Sequence, residues 1–195
     1  PVYCQYCTRS YAVGQDTQLV RKDNVTSAQN WAAAFDYIRA HPQIEDVVVS
    51  GGDLARLKPA NIRLLVNMLL DIEHVRRIRL ATKAISVQPM KVLTDEEWFR
   101  AIADVVQRGR SMFKDVCVHT HFNHPREVTP LVEQAMRRLH GEGVFVRNQA
   151  VLLRGANDDP ATLIELFRKL GRVNFHPYYV YLCDMVMSTE HCRLQ

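Results

Sequence analysis

Apolar side chains recur along this chain with two different periods. Five short runs are rich in β-branched or aromatic residues and stop at a polar or glycine signal. They are 46–50 (DVVVS), 77–81 (RIRLA), 115–120 (DVCVHT), 144–152 (VFVRNQAVL) and 173–181 (VNFHPYYVY). Runs of this kind predict β-strands. Between them, apolar residues fall three and four positions apart, the period of a helix with one buried face. Residues 27–40 place Trp31, Ala34, Phe35 and Ile38 on one such face. Further helices are predicted over 59–70, 95–108, 129–140 and 160–170. Pro59, Pro130 and Pro160 stand at favoured first-turn positions. Thr94 with Glu97, Thr129, and Asp159 read as the caps of the last three.

Strand and helix alternate throughout, which implies right-handed βαβ units on a parallel sheet. An open doubly wound sheet and a partial or complete barrel both satisfy the pattern. In either, function collects at the carboxyl ends of the strands, and the unusual polar residues do follow the strands. Ser50-Gly51-Gly52-Asp53 comes after the first run, Thr120-His121-Phe122-Asn123-His124 after the third, Arg154-Gly155-Ala156-Asn157-Asp158 after the fourth and Cys183-Asp184 after the fifth. No linker, low-complexity stretch or repeat interrupts 1–195, so a single domain is expected.

The 195 residues, 47% of them apolar, are enough for one sizeable core. The charge of +4, from 25 basic and 21 acidic side chains, is spread along the chain and gives no reason to expect nucleic acid as a partner. No apolar run approaches the roughly 18 residues a membrane helix needs, and a cytoplasmic location is expected. The chain opens on Pro-Val-Tyr-Cys without an initiator Met, which reads as the middle of a motif and hence as a fragment. Five cysteines, an odd number at irregular spacing, make a poor disulfide framework. Cys117 reads as a small core residue, and Cys183 and Cys192 as structural. Cys4-x-x-Cys7 by spacing alone fits half a zinc site, a redox pair or part of an iron–sulfur site. A Cys2His2 zinc site would draw on His121 and His124.

A resemblance narrows these choices. Radical S-adenosylmethionine enzymes carry C-x-x-x-C-x-x-C with an aromatic residue before the third Cys, and Tyr6 precedes Cys7 here. The strings CTRS at 7–10, VSGGD at 49–53, HTHFNHPREVT at 119–129, RNQAVLLRGAND at 147–158 and HPYYVYLCDM at 176–185 resemble the lysine 2,3-aminomutase family, in its order and approximate spacing. The resemblance covers essentially the whole chain. It implies a radical S-adenosylmethionine core domain incomplete at both ends: a partial (β/α) barrel of parallel strands lacking its first strand.

The same resemblance implies roles residue by residue. Cys4 and Cys7 would be two of three ligands to a 4Fe–4S cluster, the third lying before Pro1; the open iron would take the amino and carboxylate groups of S-adenosylmethionine. Ser50, Gly51, Gly52 and Asp53 match the segment that holds the cofactor's amino group, His121 a residue near its adenosyl portion and Gln149 one at its ribose. Asn123, His124 and Asn148 line the same segments. Arg9 matches an arginine that pairs with the substrate carboxylate, Asp184 an aspartate that binds the distal ammonium of lysine, and Tyr181 a tyrosine near pyridoxal 5′-phosphate. The lysine that carries this last cofactor is expected beyond Gln195, and none of the chain's own lysines has its context.

The implied activity is reductive cleavage of S-adenosylmethionine and 2,3-migration of an amino group, from L-lysine to β-lysine. The implied partners are an amino acid and an electron donor such as flavodoxin or ferredoxin, with a homo-oligomer left open. Relatives acting on another amino acid, or on a lysyl group of elongation factor P, and a non-catalytic zinc domain are the alternatives. An acid at Asp184 argues against glutamate as substrate. The chain departs from the family at Ser10-Tyr11, where more arginines are usual, at Thr82-Lys83, and after Asp184.

Overall fold

A computed structural model describes residues 4–8, 28–186 and 189–194. Arg9, with Ser10 and Tyr11, lies outside the described residues. The strands are β1 (Asp46–Val49), β2 (Arg77–Ala81), β3 (Asp115–Thr120), β4 (Val146–Leu152) and β5 (Phe175–Leu182). They form one five-stranded sheet, every pair parallel, in the order β1-β2-β3-β4-β5. A doubly wound sheet reverses its strand order partway; this one does not, so that alternative is excluded. Right-handed crossovers between sequential strands put every helix on the same face.

The predicted helices are α1 (Ala28–Ala40), α2 (Pro59–Leu70), α5 (Glu96–Ser111), α6 (Pro130–Gly141) and α7 (Pro160–Arg172), with two short turns, α3 (Ala84–Val87) and α4 (Met90–Thr94), that periodicity did not reveal. Thr129 and Asp159 cap α6 and α7 as expected, accepting from the N–H of Val132 and Thr162. The cap of α5 is Asp95 rather than Thr94. Thr94 instead donates its hydroxyl to the Met90 carbonyl and closes α4, because α4 and α5 abut and the better acceptor takes the junction. On α1, Phe35 is buried, and Trp31 and Ile38 half-buried, but Ala34 is exposed.

The core lies between the helices and one face of the sheet. Ile78 and Leu80 of β2, Val116 and Val118 of β3, and Val146 of β4 pack there with Ile62 and Val66 of α2, Ile102 and Val105 of α5 and Leu139 of α6. Gly109 lets α5 approach β3 closely, since a Cβ there would stand 2.5 Å from Val116 Cγ2.

The opposite face carries charge. Asp46 accepts from Arg79 Nε at 2.9 Å, and Asp115 accepts from Arg77 Nε at 3.0 Å and from Arg147 at 2.9 Å. Cys117 is buried as expected, but on this polar side, where Arg147 donates to its Sγ at 3.1 Å. Burial pushes its thiol up to about 12, so it is inert near neutrality.

Between β3 and β4, three buried asparagines replace the ladder at the strand ends. Asn148 exchanges two hydrogen bonds with the backbone of Phe122. Asn123 Oδ1 accepts from Val151 N. Asn157 donates to the carbonyls of Asn123 and Val151 and accepts from Leu153 N. Replacing the fully buried Asn157 by Ala strands these backbone groups away from solvent, and should cost about 3 kcal/mol. A lowered urea midpoint with an unchanged m-value checks this; an unchanged midpoint would show that the loops re-pair on their own.

Candidate active site

The carboxyl ends of all the strands open into one cleft of about 360 Å³. Its wall after β1 is Ser50 to Asp53. Gly51 takes φ +156°, which side chains rarely adopt, and nothing lies within 4 Å of a Cβ built on Gly51 or Gly52. The backbone is therefore bare toward the cleft, a surface that a ligand can approach closely. Asp53 has a different part from its neighbours. Its carboxylate accepts from Ala55 N at 2.8 Å, Thr82 Oγ1 at 2.5 Å and Lys83 N at 2.8 Å. It clamps the loop after β1 to the loop after β2, and these internal donors already engage both of its oxygens.

Lys83, from the second loop, donates Nζ to the His121 carbonyl at 3.0 Å and lies 3.6 Å from Glu127. His121 and His119 come from β3 and its end, two residues apart and hence on one face. Burial, with the Lys83 charge behind it, lowers the basicity of His121, and its Nδ1 is buried without a partner. His119 is pushed down to about 4 by burial and then by the charges of Arg79 and Arg147. Its Nδ1 lies 3.2 Å from Gln149 Nε2, while its Nε2 is buried and unpaired.

This depression has a sign for stability. With its folded value near 4 against an ordinary 6.5, His119 adds stability that is complete above about pH 6.5 and lost as pH falls toward 4. The His119→Phe variant should lose part of that acid-side decline in melting temperature; a decline of unchanged depth would exclude His119 as its source.

β5 supplies the last wall through an irregularity. Asn148 pairs with Pro177 but Gln149 pairs with Tyr179, leaving Tyr178 as an extra residue. Such a bulge re-aims the side chains beyond it. Tyr179 and Tyr181 consequently share a face with Gln149 and Val151, and Tyr181, Leu182 and Asp184 line the cleft. Tyr181, which as one of several aromatic strand positions could equally have been core, is 44% exposed. Asp184 is exposed at the rim, with its backbone carbonyl holding Val186 N and Thr189 Oγ1.

The cleft is covered by the turn of residues 4–8. Cys7 N donates to Cys4 O at 3.1 Å, and both cysteines line the cleft. Tyr6 is held by a 2.5 Å bond from Asn123 Nδ2 to its hydroxyl, which ties the turn to the end of β3. Burial raises the Cys4 thiol, with Lys83 opposing the shift. Among the described residues no three His, Cys, Asp or Glu side chains converge on one metal position. His124 is directed elsewhere, its Nδ1 accepting from Arg126 N, so a Cys2His2 site is not assembled.

Cys4, Cys7, Ser50, Gly51, Gly52, Asp53, His121, Gln149, Tyr181 and Asp184 thus share one cleft. Sequence reasoning passed over His119, Arg79 and Lys83, which also line it. Strand period alone places His119 beside His121, and the strand-end rule reaches Lys83; Arg79 sits inside β2 and gave no signal.

The chain matches no protein-family profile. It is 34% identical over 192 residues to a protein of Aquifex aeolicus named putative L-lysine 2,3-aminomutase, which covers 98% of this chain and 48% of that one. It is 32% identical to the L-lysine 2,3-aminomutase of Clostridium subterminale, over 98% of this chain and 42% of that one. It is 33% identical to the glutamate 2,3-aminomutase of Clostridioides difficile, over 97% and 41%. Among solved structures, a 3-keto-D-glucoside 4-epimerase from E. coli aligns at a TM-score of 0.37 and 10% identity, too weak a likeness to bear on the fold. By sequence, along 97–98% of its residues, this chain groups with the 2,3-aminomutases named for lysine and for glutamate, and it spans about half the length of the curated relatives it matches.

Proposed function

We propose that the chain is the central part of a radical S-adenosylmethionine aminomutase that moves the amino group of an amino acid with a cationic side chain, L-lysine in the first place, from carbon 2 to carbon 3. The observation that carries this reading is the convergence of the Cys4–Cys7 turn with the polar ends of the strands in one cleft. In the same reading the five strands are part of a (β/α) barrel, and 1–195 is a segment of its core domain. The donor set fits the implied groups. Two cysteines stand on one tight turn, and a bare glycine backbone, His121 and Gln149 line the same cleft.

When bound, a 4Fe–4S cluster supplies an electron, S-adenosylmethionine a carbon radical that exchanges hydrogen with the substrate, and pyridoxal phosphate a hold on the migrating nitrogen. The chain's own residues bind and shield. Cys4 and Cys7 bind as thiolates; because burial raises Cys4, loading releases a proton and weakens as pH falls. The Ser50–Gly52 backbone accepts the close approach of an ammonium group. Gln149 would hold the ribose and His121 the adenosyl portion. Asp184 at the rim would draw the distal ammonium, Arg9 would take the carboxylate, and Tyr181 would stand near the pyridoxal phosphate. The cysteine turn, which lines the cleft with the strand ends, would help to shield the chemistry from water. A flavodoxin or ferredoxin supplies the electron.

Relatives named for lysine and for glutamate are about equally similar to this chain, so identity does not choose the substrate; Asp184 supports a cationic one. The test is amino-group migration by the full-length protein, incubated without oxygen with S-adenosylmethionine, pyridoxal phosphate and a reductant. L-lysine should yield the 3-amino isomer and L-glutamate none. Turnover of glutamate alone would overturn the substrate assignment.

A further inference from the structure

Tyr6 stands between Cys4 and Cys7 in the sequence, and its hydrogen bonds have a fixed polarity that starts from the backbone. Val151 N donates to Asn123 Oδ1 at 2.8 Å, and a backbone N–H can only donate. The oxygen end of the Asn123 amide is therefore the end at Val151, and its other end is the NH₂. That NH₂ stands 2.5 Å from the Tyr6 hydroxyl. An amide NH₂ only donates, so the Tyr6 oxygen accepts and its own proton is left to donate elsewhere. Glu127 does not take it. Among the described residues Glu127 Oε2 has no hydrogen-bond partner, and Oε1 accepts from Asn123 N at 3.4 Å. The group that takes it is Cys4 on the same turn, where a hydrogen bond from Tyr6 favours the thiolate.

The consequence falls on the cluster site. A hydrogen bond to a ligating sulfur is one of the levers that set the potential of an iron–sulfur cluster. When the cluster takes one electron from its donor, negative charge builds on the thiolate sulfurs, and an O–H···S bond strengthens. Only the electron is transferred; the proton stays on the tyrosine oxygen. We propose that Tyr6, held as an acceptor by Asn123, donates its hydroxyl hydrogen to the Cys4 thiolate and so raises the reduction potential of the cluster, easing electron entry. This rests on the iron–sulfur reading above and adds to it a residue that tunes the cluster. Asn123 is a positioning residue, which acts on the sulfur only by setting the polarity of Tyr6.

The experiment is a redox titration of the full-length protein with its cluster reconstituted, in the absence of S-adenosylmethionine, followed by electron paramagnetic resonance. Tyr6→Phe keeps the ring and loses the O–H. Its cluster should be about tenfold harder to reduce, a midpoint about 59 mV more negative for one electron. Hyperfine spectroscopy of the reduced cluster gives a second readout. Exchange into D₂O should reveal an exchangeable proton at a cysteine ligand of the parent protein that is missing from Tyr6→Phe. Asn123→Asp keeps Tyr6 and an acceptor for Val151 N, but its other oxygen accepts the Tyr6 proton, so the same coupling should vanish there. A structural role alone would lower the melting temperature or the iron content and leave the midpoint in place. An unchanged midpoint in Tyr6→Phe with a full cluster overturns the proposal, as does a coupling that survives in either variant. A folded Tyr6→Phe protein that holds no cluster also overturns it, since the hydroxyl would then serve assembly. If circular dichroism shows that Tyr6→Phe does not fold, the coupling in Asn123→Asp decides. A parent protein that takes up neither iron nor sulfide overturns the iron–sulfur reading itself, which keeps the two failures apart.

Discussion

Asp184→Lys in the full-length protein is expected to abolish turnover of a lysine-like substrate, with kcat/KM falling at least about 100-fold, which corresponds to about 3 kcal/mol. The carboxylate lies exposed at the end of β5 on the cleft rim. A cationic substrate would lose an attraction and gain a repulsion at the same point, and opposite charges at about 4 Å near a protein surface interact by a few kcal/mol. The fold should not suffer, because it is the Asp184 backbone carbonyl that holds Val186 and Thr189. Asp184→Asn should lose less, since the attraction goes without the repulsion. Steady-state kinetics with L-lysine check the effect. Unchanged kcat/KM in Asp184→Lys would remove the argument for a cationic substrate.

Asp53→Ala should be as damaging for a different reason. The carboxylate holds Ala55 N, Thr82 Oγ1 and Lys83 N. Hydrogen bonds to a charged group contribute about 1.5–3 kcal/mol each when measured singly, and removal leaves two backbone N–H groups without partners. A loss of about 4 kcal/mol is expected, allowing for shared geometry, with S-adenosylmethionine binding weakened because the glycine wall is no longer anchored to β2. Asp53→Asn should recover part of the stability: one amide oxygen can still serve Ala55 and Thr82, while the NH₂ group opposes the Lys83 N–H. Chemical unfolding and calorimetry read the two effects. If Asp53→Ala keeps its stability yet loses ligand, the residue contacts the cofactor directly and the clamp account is wrong.

The contrast between Asp53 and its neighbours shows what was legible beforehand. Local rules are periodic, so the strands and long helices, the Thr129 and Asp159 caps and the strand-end location of the polar segments could all be read from residues close in sequence. Asp53 could be read as part of a glycine-rich strand end, but its partners Thr82 and Lys83 lie about 30 positions away, and no local pattern encodes them. The Tyr178 bulge is hidden for a related reason. An extra residue in β5 is visible only against the register of β4, and it alone decides that Tyr181 faces the cleft. Cys117 was read correctly as buried and missed as polar, because alternation reports burial on the helix side but not that the other face is built of arginine–aspartate pairs. Arg9 lies outside the described residues, so its pairing with a substrate carboxylate stands as a proposal.

In the proposed reading, the Cys4–Cys7 turn is part of an iron–sulfur site that opens onto a cofactor cleft. Metal and sulfide analysis of the full-length protein after anaerobic reconstitution tests it most directly. About four irons and four sulfides per chain are expected, with the loss of either Cys4 or Cys7 to Ala abolishing the cluster. Stoichiometric zinc, with neither iron nor sulfide, would contradict it.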